Sequence, residues 1–191
     1  MMRVSTSGWR REERLMRRVV GTGSARGASL PSRVADICRR PQSWAGLALA
    51  LALTGPRGRR AVLRGSTCSA AAALIHLPIK AAVRRPRPRG AAMLGTTRST
   101  SSFPSGHTAS DLSFVLGAAQ EIPALLVLSV ATLGSHWSLI RSRIHYPSDV
   151  VGGGAIAIVV AAAAWKLRPP GPGLALAGIS EEPAPGITKS A

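Results

Sequence analysis

Five apolar segments, near residues 43–55, 61–79, 108–120, 122–140 and 150–167, constrain this chain more than any other feature. Stretches of this kind, punctuated by Gly55-Pro56-Arg57-Gly58, Arg87-Pro88-Arg89-Gly90 and Pro169-Pro170-Gly171-Pro172-Gly173, read as five helices. A bilayer core asks for ~20 apolar residues, and several of the five are short or alanine-rich, so none is a strong span by itself. As a set they favour a membrane. Ala70-Ala71-Ala72-Ala73, Gly152-Gly153-Gly154 and Ala161-Ala162-Ala163-Ala164 supply small surfaces of the kind that let helices approach closely in lipid. The expected fold is therefore all-α, an integral membrane helical bundle with about five transmembrane helices; a soluble bundle is the alternative.

The flanks differ from this middle. Residues 1–42 form a basic arm with an amphipathic helix expected near residues 10–20, residues 43–168 the membrane-embedded domain, and residues 169–191 a disordered tail. In the arm, Leu15, Met16, Val19 and Val20 could rest on a bilayer surface while arginines meet anionic headgroups, or the arm could be merely solvated. Across the chain 25 basic residues oppose 8 acidic ones, a net charge of +17. That excess attracts nucleic acid, lipid headgroups or phosphorylated substrates alike. An aromatic share of 4% leaves few platforms for stacking bases, so no nucleic-acid partner is expected. Cys38 and Cys68 fit no metal-ligand spacing, Asp111 and Glu121 lack a partner set, and no metal or other cofactor is expected. The first 20 residues do not read as a cleaved secretory signal.

Three short groups of polar residues interrupt the apolar pattern, and together they suit phosphate chemistry. A phosphoryl group needs fixed cations, backbone N–H donors, a nucleophile and a proton donor for the leaving oxygen. Lys80 and Arg87, with Arg84, Arg85 and Arg89 nearby, are the expected clamp, since guanidinium forks match phosphate oxygens at two points. Ser105 is placed to cap a helix whose N–H groups and dipole face an anion, and Gly106 would let that anion come close to the backbone. His107 and His145 titrate near neutrality. One imidazole can attack phosphorus and form a phosphohistidine while the other delivers a proton to the departing alcohol. His145 is the better nucleophile, because Asp149 follows by four residues and a carboxylate there can hold the ring in one tautomer. His107 is then the acid. His76 and His136 are expected to be structural.

At these residues the chain resembles the type 2 phosphatidic acid phosphatase superfamily, whose signature is Lys-x6-Arg-Pro, then Pro-Ser-Gly-His, then Ser-Arg-x5-His-x3-Asp. Lys80, Arg87 and Pro88 fill the first motif, and Pro104, Ser105, Gly106 and His107 the second. Ser138, His145 and Asp149 fill most of the third, where Leu139 stands in place of the arginine. Were this stretch helical, Arg143 would share a face with residue 139 and is the preferred substitute, with Arg141 the other candidate. The resemblance covers roughly residues 43–168. It implies a metal-independent hydrolase of phosphate esters or diphosphates; many such proteins are membrane-bound and act on lipids, and vanadium haloperoxidases share the anion cradle.

Topology agrees with the motifs. If residues 61–79 span once, the first motif emerges at one face, the second opens the next span there, and two further spans return the third to the same side. The expectation is a multi-pass cell-membrane phosphatase acting on a phosphorylated lipid or polyprenyl phosphate. Two alternatives stand beside it: a catalytically impaired family member that binds phospholipid, and a basic nucleic-acid-binding protein. Positive-inside counting favours a cytoplasmic site, but the site needs many of those cations for itself, so the orientation stays open.

Overall fold

A computed structural model describes residues 6–20, 37, 40–88 and 101–167. Among them the only regular elements are helices. The chain runs through α1 (Thr6–Val20), α2 (Pro41–Leu53), α3 (Pro56–Val83) and α4 (Gly106–Ala119). A 3-10 turn (Pro123–Val127) then leads into α5 (Leu128–Arg141), and α6 (Pro147–Lys166) closes the bundle. The tail expected beyond residue 169 and most of the loop after Arg89 lie outside the described residues.

Local chemistry sets the boundaries. Proline occupies the first turn of α2, α3 and α6, where its missing N–H costs nothing and its fixed φ is already helical. α3 stops at Arg84, which takes a left-handed conformation (φ 48°) and donates its N–H to the Lys80 carbonyl. α4 begins behind the Ser105 cap.

Three helices are long and apolar enough to cross a membrane: Pro56–Val83, Pro147–Lys166, and the 3-10 turn with α5 taken together as Pro123–Arg141. The 13 residues of α2 and 14 of α4 are shorter. At 1.5 Å per residue α4 is ~21 Å long, less than a hydrocarbon core of ~30 Å. The five segments of the sequence are thus all helical, but three of them meet the length of a span. Their outer faces suit lipid: Leu63, Leu74, Val130, Leu133, Val151, Ile158 and Val159 are all exposed.

Inside, small side chains dominate. Cys68, Ala72, Ala109 and Val160 form one buried cluster between α3, α4 and α6. Ala61, Phe114 and Ala118 form a second, against Trp44 and Leu47 of α2, with the Trp44 and Phe114 rings edge to face at 5.6 Å. Two glycines show how close the helices come. A Cβ on Gly117 would lie 2.8 Å from Cys68 Sγ, and one on Gly153 would lie 2.5 Å from the Ser105 carbonyl oxygen and 2.9 Å from Thr108 Cβ. At the far end of α3, Arg60 and Arg64 hold the buried Glu121 at 3.3 and 3.2 Å, tying α3 to the turn after α4.

Gly153 therefore sets the distance between α4 and α6 where the second and third motifs meet. Gly153→Ala should destabilise the protein by about 1–3 kcal/mol through overpacking. A thermal melt in detergent checks this; a melting temperature equal to that of the parent would show that the helices are not in van der Waals contact there.

Candidate active site

The three motifs converge at one end of the bundle. Ser105 N donates to the Asp149 carbonyl at 2.9 Å, joining the second motif to the third. Arg87 Nη1 donates to the Ile144 carbonyl at 2.8 Å, joining the first motif to the turn that carries His145. Gly106 lies against His76 of α3, whose ring would meet a Cβ there at 3.0 Å. A side chain at position 106 would thus wedge α4 away from α3.

Each candidate residue has a clear local setting. Ser105 is fully buried; its Oγ accepts from Thr108 N at 3.4 Å and from Thr108 Oγ1 at 2.9 Å, capping α4. The first N–H groups of α4 and the positive end of its dipole belong to this same terminus. His107 follows on the first turn with an exposed side chain, within electrostatic reach of Asp111, His145, His136 and Lys80. Lys80 is buried on the last turn of α3, within reach of Arg87 and Asp149.

His145 is buried in the turn between α5 and α6, and its Nδ1 lies 3.3 Å from Asp149 Oδ2. The same oxygen accepts from Tyr146 N at 2.8 Å. Burial holds the imidazole below its ordinary value of 6.5, against the opposing pull of the Asp149 hydrogen bond and charge; Arg87 and Lys80 push it further down. His145 is therefore neutral at neutral pH.

The region around Leu139 does not follow the helical argument made from sequence. α5 ends at Arg141, and Arg143 sits beyond it at φ 56°, so residues 139 and 143 are not successive turns of one helix. Leu139 itself is packed in the interior at 1% exposure, and its carbonyl accepts from Ile144 N at 3.0 Å, which closes the turn ahead of His145. Arg141 is exposed at the helix end and Arg143 is half-buried.

Several residues at this end carry no signal that singles them out in the sequence. Arg85, expected among the phosphate-clamping arginines, is instead buried and committed to carboxylates: Nη1 reaches Asp149 Oδ1 at 2.9 Å and Nη2 reaches Glu12 Oε2 at 2.7 Å. Its guanidinium stacks over Tyr146 at 3.9 Å. Met16, which the sequence left either solvated or on a bilayer surface, is instead buried against Ile140 and Tyr146. Glu12 bonds Ser148 through both its backbone N–H and its hydroxyl, each at 2.8 Å. Two adjacent acidic residues, Glu12 and Glu13, within an arginine-rich helix were the available clue. His136, on α5, approaches Asp111 at 3.6 Å.

Helices long and apolar enough to cross a membrane thus meet at a buried histidine–carboxylate pair beside Lys80, Arg87 and a capped helix N-terminus. A model of the PAP2 superfamily matches residues 61–170, more than half of the chain, and the protein belongs to that superfamily of phosphatases. No curated protein and no solved structure matches it.

Asp149 is completely buried and compensates Arg85. Asp149→Asn should cost about 1.5–3 kcal/mol: Glu12 still pairs with Arg85, but the buried bonds to Arg85, His145 and Tyr146 N lose their charged acceptor. Thermal unfolding in detergent is the check, and a loss below about 1 kcal/mol, the size of a surface pair, would show that the charge pair is open to water.

Proposed function

We propose that this chain is a multi-pass cell-membrane phosphatase that hydrolyses a lipid or isoprenoid phosphate or diphosphate, without a metal, through a phosphohistidine on His145. The contact between His145 Nδ1 and Asp149 Oδ2 carries the reading. With the Nδ1 proton directed to the carboxylate, Nε2 holds the lone pair, and burial keeps the ring neutral and ready to attack.

The steps follow from that geometry. Lys80, Arg87 and the N–H groups behind Gly106 take the equatorial phosphoryl oxygens, Ser105 holds the helix end that presents those groups, and Arg143, with Arg141 beside it, supplies further positive charge. A guanidinium has five donors, so Arg87 can anchor the Ile144 carbonyl and contact an anion together. Nε2 forms a bond to phosphorus as the ester P–O bond breaks, and the alcohol oxygen leaves with that electron pair and a proton from His107. Neutral His107 then takes a proton from water, whose oxygen attacks phosphorus; the P–N bond breaks, its electrons return to His145, and inorganic phosphate departs.

The lipid class is supported by the outer surface. A groove of about 590 Å³ between α3 and α6 is lined by Leu63, Ala71, Ile75, Val159 and Ala163, with Arg60, Arg64 and Glu121 at the far end of α3. Ile75, at the end of the groove away from Arg60 and Arg64, lies five residues before Lys80, ~7.5 Å along the helix, so the aliphatic lining reaches to within about one and a half turns of the candidate site. The shorter helices α2 and α4 complete the bundle beside the three long ones. A second reading, a member that binds phospholipid without turning it over, is favoured by one observation: Leu139 is buried where the family motif carries an arginine. Phosphate release by the purified protein from a panel of phosphatidic acid, phosphatidylglycerol phosphate and polyprenyl phosphates in mixed micelles separates the two.

His145→Ala should abolish phosphate release, and His107→Ala should slow it most for poor leaving alcohols; full activity of either variant would remove the two-histidine mechanism. Chelators should leave the rate unchanged and vanadate should inhibit, its oxygens taking the transition-state positions. Because His145 reacts neutral and His107 protonated, and burial lowers both from 6.5, kcat/KM should rise as pH drops past 6.5 and fall only through the depressed value of His145. An acid limb at or above 6.5 would contradict the assignment.

A further inference from the structure

The amphipathic helix α1 does more than lie beside the bundle. Its exposed face is basic, with Arg10, Arg11, Arg14, Arg17 and Arg18, while Trp9, Glu12 and Met16 turn toward the candidate active site. Glu13 pairs with Arg17 of its own helix at 3.0 Å. Glu12 has a different set of partners, all at the site end: Ser148 N and Oγ, and Arg85 Nη2.

From this arrangement we propose that Glu12 is a positioning residue for the reaction, acting on His145 through the chain Glu12–Arg85–Asp149. This rests on the phosphatase reading for its kinetic consequences. Glu12 fixes Asp149 in two ways. Its carboxylate receives the N–H of Ser148 in the first turn of α6, where negative charge is favourable, and so anchors the backbone that carries Asp149. It also holds one arm of Arg85, whose other arm holds Asp149 Oδ1 and leaves Oδ2 for His145 and Tyr146 N. Stacking of Arg85 over Tyr146, with Trp9 5.7 Å away, keeps the guanidinium in its plane.

Without the charge at position 12, Arg85 keeps Ser148 Oγ and the Tyr146 ring but has Asp149 as its one remaining carboxylate among the described residues, so the arm that balanced its pull on Asp149 Oδ1 is lost and the carboxylate is held less firmly. The Asp149 bond is what opposes the depression of the His145 ring; Lys80 of α3 and Arg87 face that ring as cations, and His107 of α4 lies within reach. Loosening the bond therefore moves the ring further below its ordinary value and misaligns Nε2.

Glu12→Gln, isosteric and on the periphery, is the test in the full-length protein. Expected is a fall in kcat of about ten- to a hundredfold, with KM within about twofold, since a small misplacement of a reacting group has that scale. The acid limb of kcat/KM should shift to lower pH, and Glu13→Gln should match the parent. A direct ¹H–¹⁵N titration of the His145 ring in detergent needs no substrate and should show a lower midpoint in Glu12→Gln. An unchanged midpoint with unchanged kcat per folded molecule, even if the melting temperature falls, would reduce Glu12 to a structural contact and overturn the proposal. If the parent releases no phosphate from any substrate, the phosphatase reading fails while the ring titration still decides the role of Glu12.

Discussion

A single buried carboxylate organises this protein. Asp149 has no exposed surface, and its two oxygens serve Arg85, His145 and the Tyr146 N–H. Burying such a charge costs several kcal/mol unless it is paired and fully hydrogen-bonded, so the chain must deliver all three partners at once. They come from the residue just past the C-cap of α3 and from the turn and N-cap ahead of α6. The backbone of the same residue takes up Ser105 N, which fixes the start of α4. One position thus holds a ring nitrogen of a histidine, the start of a helix and a guanidinium.

Close helix packing makes this delivery possible. With Gly117 against Cys68 and Gly153 against Ser105 and Thr108, α3, α4 and α6 meet backbone to side chain, which is how helices gain contact energy where lipid offers no hydrophobic drive. A bundle of leucines would have held the helices further apart. The Ser105–Asp149 hydrogen bond spans the α4–α6 contact and needs that short separation. Polar links gather at the two ends: Arg60 and Arg64 on Glu121 at one, the Arg85 cluster at the other. The faces between them are apolar.

Much of this was legible in the sequence because the relevant signals are local. Apolar runs between glycine and proline marked the helices, and a serine before a glycine and an apolar run marked the α4 cap. The His145–Asp149 spacing of four residues anticipated a contact formed within one turn and the start of a helix. What could not be read depends on which arginine faces which acid. Arg84 and Arg85 are neighbours of identical type, yet the first donates to the Ala81 carbonyl beside it and the second reaches Asp149 and Glu12. The left-handed turn at Arg84 decides the difference, and a non-glycine residue gives no sequence sign of it. The end of α5 at Arg141 was equally hidden, so the helical periodicity used to relate Leu139 to Arg143 ran past its domain of validity.

The most direct measurement is to catch the covalent species. Rapid quenching of the protein with ³²P-labelled phosphatidic acid or polyprenyl phosphate, followed by mapping of the labelled peptide, should show phosphate that is stable to base, labile to acid and attached to His145. Steady release of phosphate with label on another residue, or with none on the protein, would contradict the account.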